Sequence, residues 1–388
     1  MNASKDYWLP VLPAQWQRVP AWFLFTEGTE RAHAADVHLT PSRKYGVIPQ
    51  AKYAELSGHR PIANDATAGN MKKVYPDDFI ISMGSFESGI EHSTIPGKVS
   101  NDYRVLRPTG YVEPRYFRWF LKSSPLIDAL DGLTGEIRVG QRIHYSQFSR
   151  LSLPLPELAT QRRIADYLDR ETAQIDAMVG ALDGLVSRLE ERRSSLSRQH
   201  IETARENYSF TQVKFLADIT TGTGDTQDAT ETGYPFYVRS NTPVFSSDWE
   251  FEGDAVLTAG DGAGVGRVYH LATGRFRAHQ RVYVIHNFRA ITPEYFLHVF
   301  RALFPDTVLS GSAQTTVPSV RLHMISDLKI PLPPLDEQRR IADHLDAETA
   351  KIDAMIAKAG ELRALLDERR SALITATVTG QHPVPEEQ

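Results

Sequence analysis

Two stretches of the chain have large apolar residues at heptad spacing. In residues 153–205 and again in residues 330–380, these positions follow one another at steps of three, four or seven, which places them along one side of a helix. Prolines precede both stretches, where they suit a strand end or a first helical turn. Each stretch therefore predicts a long helix with one narrow apolar stripe. The predicted stripe residues are Ile164, Leu168, Ile175, Met178, Leu182, Leu185 and Leu189 in the first helix and Ile341, Leu345, Ile352, Met355, Leu362 and Leu366 in the second.

The two helical stretches are copies of one another. Residues 153–196 align without a gap with residues 330–373, at an offset of 177, and 26 of the 44 positions are identical. Each copy begins with the pattern Pro-Leu-Pro-x-Leu-x-x-Gln-Arg-Arg-Ile-Ala. A period of 177 residues is too long for a solenoid repeat. The duplication therefore predicts two similar halves, each consisting of a domain followed by a helix.

A helix with a single apolar stripe needs a partner, and each copy supplies one for the other. Head-to-tail alignment about a two-fold axis places Glu171 near Arg369 and Glu348 near Arg192, whereas parallel alignment brings like charges together. The pattern therefore predicts an antiparallel coiled coil with pseudo-two-fold symmetry. The alternative is two independent surface helices, each packed on its own domain.

The segments outside the helices are typical of mixed α/β domains. Short β-type runs bounded by Gly, Pro, Asn and Asp occur at residues 79–81, 103–106, 255–257 and 281–285. The predicted fold class is therefore α+β, with two similar mixed α/β domains separated by two long helices packed as an antiparallel coiled coil. The predicted division is a first domain at 1–152, a helix at 153–205, a second domain at 206–329, a helix at 330–380 and a flexible tail at 381–388.

Composition limits the class of protein. With 41% hydrophobic and 23% charged residues, the chain of 388 residues lies within the globular range. The absence of cysteine excludes disulfide scaffolds, cysteine-ligated metals and thiol catalysis. No apolar run approaches the roughly 18 residues of a membrane span, and the first residues lack the apolar segment of a signal peptide. We therefore expect a soluble cytoplasmic protein with no membrane partner.

Basic residues form local clusters, although neither domain is strongly basic. Residues 1–150 have a net charge of +3 and residues 206–328 a net charge of −4. Arginine and glutamine have side chains shaped for bidentate hydrogen bonds to guanine and adenine edges. Their clusters predict DNA contacts, and solvated loops or hairpins are the alternative. The candidates are Arg43, Lys44, Tyr45, Lys72 and Lys73 in the first domain and Arg239, Arg267, Arg275, Arg277, Gln280 and Arg281 in the second.

Sequence motifs of common catalytic sites are missing. The glycine-rich run at 261–266 fits neither the dinucleotide pattern nor the phosphate-binding loop, and it predicts a flexible loop near a ligand or a DNA backbone. The histidines show no metal-ligand spacing, and no Gly-x-Ser-x-Gly elbow occurs. The tetrapeptide expected of an amino-methyltransferase is also absent. We therefore predict no catalytic residue and no metal site in this chain.

Two differing domains, each followed by the duplicated helix start, resemble the specificity (S) subunit of type I restriction–modification systems. The run Arg-Arg-Ser-Ala-Leu-Ile-Thr-Ala-Thr-Val-Thr-Gly-Gln at 369–381 adds to this resemblance. It implies two target recognition domains, one for each half of a split DNA sequence, with helices that set the spacer and no catalysis in this chain. It implies double-stranded DNA, two methyltransferase (M) subunits and restriction (R) subunits as partners. S-adenosylmethionine would then be bound in the M subunits, and this chain would hold no cofactor.

A non-catalytic coiled-coil scaffold that holds two binding domains apart is the alternative function. The duplicated helices are compatible with it, but it does not explain why arginine and glutamine cluster in domains rich in turns. Salt-dependent DNA binding in the presence of partner subunits distinguishes the two functions.

Overall fold

The computed structural model describes residues 8–42, 44–58, 71–82, 90–134, 145–311 and 319–385. The chain groups into two compact units. Unit 1 comprises residues 1–181 and 362–388, and unit 2 comprises residues 182–361. Each long helix contributes residues to both units, whereas the predicted division treats each helix as a segment of its own. The two-unit grouping therefore does not test the five predicted segments. That division stays a prediction.

Unit 1 is built around a four-stranded antiparallel sheet. The described strands of the whole unit are β1 (Gln17–Pro20), β2 (Phe25–Gly28), β3 (Leu39–Ser42), β4 (Gly46–Pro49), β5 (Lys72–Val74), β6 (Phe79–Ser82), β7 (Glu91–His92), β8 (Gly97–Val99), β9 (Tyr103–Pro108) and β10 (Ser152–Leu155). The described helices of the unit are α1 (Ala21–Leu24), α2 (Gln50–Ser57), α3 (Pro114–Phe120), α4 (Ser124–Thr134) and α5 (Tyr145–Phe148). The long helix α6 (Leu158–Asn207) belongs to this unit up to residue 181. The main sheet has the order β2-β9-β6-β7, and β1 pairs with β10 just before α6 begins.

Unit 2 repeats this plan. Its strands are β11 (Phe210–Gln212), β12 (Asp218–Thr221), β13 (Tyr234–Tyr237), β14 (Val244–Ser246), β15 (Phe251–Glu252), β16 (Ala255–Ala259), β17 (Tyr269–Ala272), β18 (Arg275–Ala278), β19 (Val282–His286) and β20 (Lys329–Pro331). Its described helices are α7 (Val213–Leu216), α8 (Pro293–Gly311) and α9 (Leu322–Ser326). The long helix α10 (Leu335–Val378) belongs to this unit up to residue 361. The main sheet has the order β12-β19-β16-β17, and β11 pairs with β20 just before α10 begins.

The two main sheets have equivalent strand orders, so the duplication extends beyond the helices. The predicted β-runs at 79–81, 103–106 and 255–257 lie within β6, β9 and β16, and the run at 281–285 overlaps β19. Unit 2 differs from unit 1 by a second four-stranded sheet of order β14-β13-β18-β15, in which β13 and β18 are parallel. The predicted α+β class with a repeated domain plan is confirmed.

The glutamine of each helix start ties a long helix to its own domain. Gln161 is fully buried, and its Oε1 accepts a hydrogen bond from the backbone N–H of Glu113 at 2.8 Å. Its Nε2 donates to the carbonyl oxygens of Tyr111 at 3.0 Å and Pro156 at 2.9 Å. One buried amide side chain therefore satisfies three backbone groups that are buried or partly buried and would otherwise destabilise the fold.

Gln338 makes the same three contacts in unit 2. Its Oε1 accepts from the backbone N–H of Thr292 at 2.8 Å, and its Nε2 donates to Ala290 O at 3.0 Å and Pro333 O at 2.8 Å. Gln338 is also fully buried. The glutamine in the repeated Gln-Arg-Arg-Ile-Ala pattern therefore has a structural role in both copies.

Within each unit, the two long helices run antiparallel. In unit 1, Arg370 near the end of α10 pairs with Asp176 of α6 at 3.1 Å. In unit 2, Arg193 of α6 pairs with Asp353 of α10 at 2.8 Å. The two ion pairs are equivalent under the offset of 177. The predicted antiparallel packing is confirmed.

The direct ion pairs of the two predicted seam acids are with residues of their own helices. Glu171 pairs with the adjacent Arg170 at 3.6 Å, and Glu348 pairs with Lys351 one turn away at 2.6 Å. The Lys351 contact lowers the pKa of Glu348, and the charge of Arg192, its predicted neighbour on the other helix, lowers it further. The closeness of Glu171 and Arg369 stays a prediction.

The apolar stripe varies in exposure along the helices. Leu168 and Leu345 are at most 1% exposed and belong to the cores of units 1 and 2. Ile175, Leu189 and Ile352 lie outside those cores and are still at most 7% exposed. Four predicted stripe residues are 41–48% exposed, and their place in the seam stays a prediction: Met178, Leu185, Met355 and Leu362. In the described part of the chain, no helix combines the length and apolarity that a membrane span requires.

The predicted flexible tail is held against unit 1 for its first four residues. The Nε2 of Gln381 donates to the carbonyl oxygen of Val11 at 2.6 Å. The ring of His382 lies 3.0 Å from the hydroxyl of Tyr167, and Val384 packs against the core of the unit. The expectation of a flexible segment starting at residue 381 is corrected accordingly.

Candidate nucleic-acid interface

Two predicted DNA-contacting arginines of unit 2 meet at one carboxylate. Asp261, two residues after β16, accepts from Arg239 through Oδ1 and from Arg281 through Oδ2, both at 2.7 Å. Burial alone would raise the pKa of Asp261, but the two guanidinium groups outweigh it and lower that pKa. Arg239 and Arg281 are 40% and 58% exposed. Asp261 therefore orients two arginines whose remaining N–H groups are available to a ligand.

The connection between β18 and β19 lies beside this arginine pair. The backbone N–H of Gln280 donates to Gly224 O at 2.8 Å, while its side-chain Nε2 is 3.5 Å from Asp225 Oδ2, a weak contact. Burial lowers the pKa of the adjacent His279, and the positive charge of Arg239 lowers it further. The exposed amide of Gln280 and the two arginines form one polar surface at the ends of the strands.

The glycine-rich run at 261–266 is an ordered turn with specific packing. Residues 262–264 form one turn of 3₁₀ helix, and Gly262 has a φ of +76°, which favours glycine. A Cβ on Gly264 would lie 3.0 Å from both Arg239 O and the Cβ of Ala259. The glycines therefore allow the turn to pack against the backbone of Arg239, which explains them without flexibility.

Arg277 is held in a more enclosed setting than its neighbours. Its side chain is 19% exposed, pairs with Asp228 at 2.9 Å and donates to Ser246 Oγ at 3.4 Å. The guanidinium also lies 5.9 Å from the ring centroid of Phe236. These contacts connect β18 to a neighbouring loop and strand, so they indicate a structural role for Arg277.

Replacing Arg277 by alanine should lower the stability of unit 2. The substitution leaves Asp228 without its charged partner, which costs about 1–2 kcal/mol and corresponds to a melting temperature about 2–8 °C lower. The control is Arg289→Ala, because Arg289 is 55% exposed and pairs with Asp218 on the surface. Differential scanning calorimetry of the two variants checks the prediction. Equal melting temperatures for the Arg277 variant and the unmodified chain would contradict it.

The other two candidates of unit 2 lie elsewhere. Arg275, at the opposite end of β18 from Gln280, pairs with Glu252 at 3.5 Å and lies 4.6 Å from the ring centroid of Trp249. Arg267 is exposed in a cleft beside α8. The six candidates of unit 2 therefore divide among different surfaces. DNA contact by each remains a prediction.

In unit 1, the amine groups of two candidates are engaged by the fold. Lys72 donates from Nζ to the carbonyl oxygen of Tyr103 at 2.8 Å, and burial followed by the charge of Arg104 lowers its pKa. Lys73 pairs with Asp36, and its side chain is 20% exposed. Both lysines lie on β5, where they contribute to stability in addition to any role in binding.

Lys44 and Tyr45 lie in the turn between β3 and β4. The hydroxyl of Tyr45 is 3.4 Å from Leu56 O, and the Nζ of Lys44 lies 5.1 Å from the Tyr45 ring centroid. Arg43 lies outside the described residues. Within the described residues, no hydrogen bond or ion pair joins this turn to Lys72 or Lys73.

Sequence reasoning missed the acidic residues that position the arginines. Asp225, Asp228 and Asp261 contact the predicted basic and amide side chains of unit 2. The available signal was the net charge of −4 at 206–328, because acids in a domain with clustered arginines are suitable internal partners. In the part of the chain that the structure describes, no group of three or more His, Asp or Glu residues is arranged to hold a metal ion.

Comparisons with known proteins identify the class. Residues 206–362 match the family described as the type I restriction modification DNA specificity domain. The chain is 30% identical over 167 residues to the EcoDI specificity subunit of Escherichia coli, which is 43% of this chain and 36% of that subunit. It is 28% identical over 131 residues to the StySPI specificity subunit of Salmonella potsdam, or 32% and 28% of the two lengths. The matched stretches thus span only 28–36% of the length of these relatives.

A solved structure has the same fold over nearly the whole chain. The study of that structure concerns complex assembly and conformational transition of the type I R-M system. The alignment has a TM-score of 0.69, covers 96% of this chain and 100% of that chain, and has 16% identity. The solved structure therefore shares the duplicated α+β fold of this chain. The chain is similar to specificity subunits of type I restriction–modification systems, and the resemblance seen in the helix starts is confirmed.

Proposed function

We propose that the chain is the DNA-recognition subunit of a type I restriction–modification complex. In this function, each mixed α/β domain recognises one half of a bipartite target, and the long helices set the unspecified spacer. The main support is that the match to a DNA specificity domain covers the part of unit 2 that presents Arg239, Gln280 and Arg281 on adjoining loops.

Recognition in unit 2 would use bidentate contacts in the major groove. Arginine pairs with the O6 and N7 atoms of guanine, and glutamine with the N6 and N7 atoms of adenine. Asp261 contacts both Arg239 and Arg281, so it reduces the conformational freedom that the two arginines lose on binding. Asp261 is then a positioning residue for one half-site.

The chain would act together with partner subunits in the cytoplasm. Its net charge of −5 is unfavourable for tight binding to DNA by the chain alone, because phosphate contacts provide most non-specific affinity. Two methyltransferase subunits, with S-adenosylmethionine, would supply adenine methylation and further phosphate contacts, and restriction subunits would add cleavage. This chain contributes recognition and no catalysis.

Co-expression with the methyltransferase subunit encoded beside it should methylate adenine at one gapped motif. Two short specified blocks around a fixed spacer are expected because two different domains read two half-sites. Sequencing that detects methylated adenine in the host genome measures this directly, and cells with the methyltransferase subunit alone are the control. Methylation at an ungapped motif would contradict separate half-sites. A stable complex without methylation would favour a scaffold.

A further inference from the structure

Each unit has a cleft between its domain and its pair of helix segments, and the two clefts are equivalent. The cleft of unit 1 has a volume of about 730 Å³ and that of unit 2 about 640 Å³. Asp367, Arg370 and Ser371 of α10 line the first cleft. The second cleft is lined by the corresponding residues of α6, each of which precedes its counterpart in α10 by 177 positions: Glu190, Arg193 and Ser194. The clefts therefore derive from the same duplication.

The domain side of the two clefts differs in charge pairing. The Pro-x-Tyr-Phe sequences that begin α3 and α8 align Lys122 with Arg301. Lys122 pairs at 2.6 Å with Glu91, a carboxylate that is 5% exposed and lines the same cleft. In the part of unit 2 that the structure describes, no carboxylate pairs with Arg301. The duplication has kept a cation at this position and lost its acidic partner.

The cleft of unit 2 has an excess of positive charge. Arg301 and Arg267 line it without an ion pair in the described residues, alongside Arg193, which is paired with Asp353. Arg198 faces the same cleft and is 3.7 Å from Asp306, and Glu190 is a further acid on the α6 side. Desolvation in the cleft, and then the charge of Arg193, lower the pKa of Arg301. Asp353 and Asp346 raise that pKa more weakly. The lining still contains four arginines against Glu190 and Asp353, and this excess of positive charge favours binding of an anion.

Tyr269 provides an independent indication of a ligand. It is 7% exposed and lines the cleft, and its hydroxyl has no hydrogen-bond partner among the described residues. Its ring centroid lies 5.7 Å from the guanidinium carbon of Arg301. A buried donor without a partner is unfavourable, whereas an anion beside it accepts the hydrogen bond. In the cleft of unit 1, the groups without a partner are Arg118 Nε, a donor, and Glu91 Oε1, an acceptor whose carboxylate charge disfavours an anion.

We infer that the cleft of unit 2 binds a phosphate group through Arg267 and Arg301, with the hydroxyl of Tyr269 as a third donor. Planar guanidinium groups bind phosphate oxygens with paired, charge-assisted hydrogen bonds. Asp261, which contacts Arg239 and Arg281, is the first residue of the glycine-rich turn. Gly266, the last residue of that turn, lines the cleft beside Arg267. This continuity favours a phosphate of the DNA backbone over free phosphate as the source. The choice of DNA rests on the proposed function, whereas the anion site does not.

The first test measures DNA binding by the full chain in complex with its methyltransferase subunits. The affinities of a target duplex and an unrelated duplex are measured between about 50 and 200 mM salt. Replacing Arg267 and Arg301 together by alanine should reduce the slope of log K against log salt by about one to two, equally for both duplexes. Arg301→Lys should give a smaller reduction, because it keeps the charge and loses the bidentate geometry. Arg289→Ala is the control for general loss of charge.

The second test titrates inorganic phosphate into the full chain alone and follows its ³¹P line width and the melting temperature. Phosphate-dependent stabilisation that the double variant and Tyr269→Phe both reduce would support the site, with free phosphate as its source if DNA binding is unchanged. A reduced salt slope supports the DNA backbone as the source. Unchanged behaviour in both tests, with folded variants and normal DNA binding by the unmodified complex, would overturn the inference and leave the proposed function intact. If the unmodified complex bound no DNA, the proposed function would fail, and the phosphate titration would still decide the anion site.

Discussion

Replacing Gln338 by leucine should lower the free energy of unfolding by about 3 kcal/mol or more. Leucine has a similar size, but it leaves the N–H of Thr292 and the carbonyl oxygens of Ala290 and Pro333 without their partner. Each unsatisfied buried polar group costs about 1–3 kcal/mol. The Gln338 side chain is fully buried and its bond to Pro333 O is buried as well, so water is a poor substitute for the lost amide there. Urea unfolding followed by circular dichroism measures the loss.

Two variants serve as comparisons for Gln338. Gln161→Leu should destabilise unit 1 by a similar amount, because Gln161 makes the equivalent three hydrogen bonds. Arg339→Ala, on the adjacent residue, should change stability by no more than about 0.5 kcal/mol, since its side chain is 62% exposed. A Gln338 variant as stable as the Arg339 variant would show that the three backbone groups find other partners.

The two glutamines illustrate what a repeated sequence does and does not reveal. The duplication of 26 positions in 44 predicted two long helices and their repeated domains, because identical segments fold alike in similar surroundings. The role of Gln161 and Gln338 was not predictable from the pattern. Their partners precede them by 46 to 50 residues or lie in the strand-to-helix connection, and only the folded domain brings them within reach.

The candidate site was predictable by residue type and less so by position. Arg239 and Arg281 are 42 residues apart, yet both reach Asp261 because their strands end at the same place. Arg275 and Arg277 lie on the same face of β18, since side chains two residues apart on a strand share a face. They have different partners because Arg275 is opposite Glu252 of β15, whereas Arg277 is opposite Phe236 of β13 and reaches Asp228. Sequence proximity therefore grouped residues that the fold separates.

The exposure of the apolar stripe residues was not predictable from the sequence for a related reason. Heptad spacing identifies the apolar side of a helix, but burial also depends on what covers that side. Leu168 and Leu345 have both a helix and a domain core beside them, whereas Met178 and Met355 are 48% and 47% exposed. A local pattern does not indicate where the covering domain ends.

Replacing both Arg239 and Arg281 by alanine should remove the specificity of one half-site and leave the other intact. A bidentate contact between arginine and guanine provides about 1–3 kcal/mol of discrimination, so each lost contact lowers the preference for the correct base about 5- to 150-fold. Mapping of methylated adenine, with the methyltransferase subunit co-expressed, should show one degenerate block, an unchanged spacer and an unchanged second block. This result depends on each domain recognising its own half-site.

Matched variants separate base contact from structural damage. Asp261→Asn should broaden the same block to a smaller extent, because it weakens the charge that holds both arginines but keeps the arginines themselves. Arg289→Ala removes an arginine that pairs with Asp218 away from the Asp261 cluster, and it should leave both blocks unchanged. Equal loss of specificity in both blocks, or loss of all methylation with a lowered melting temperature, would contradict a contact role. Asp261 would then be a structural ion-pair centre that stabilises the strand ends, and the determinants of the half-site would lie on other loops of unit 2.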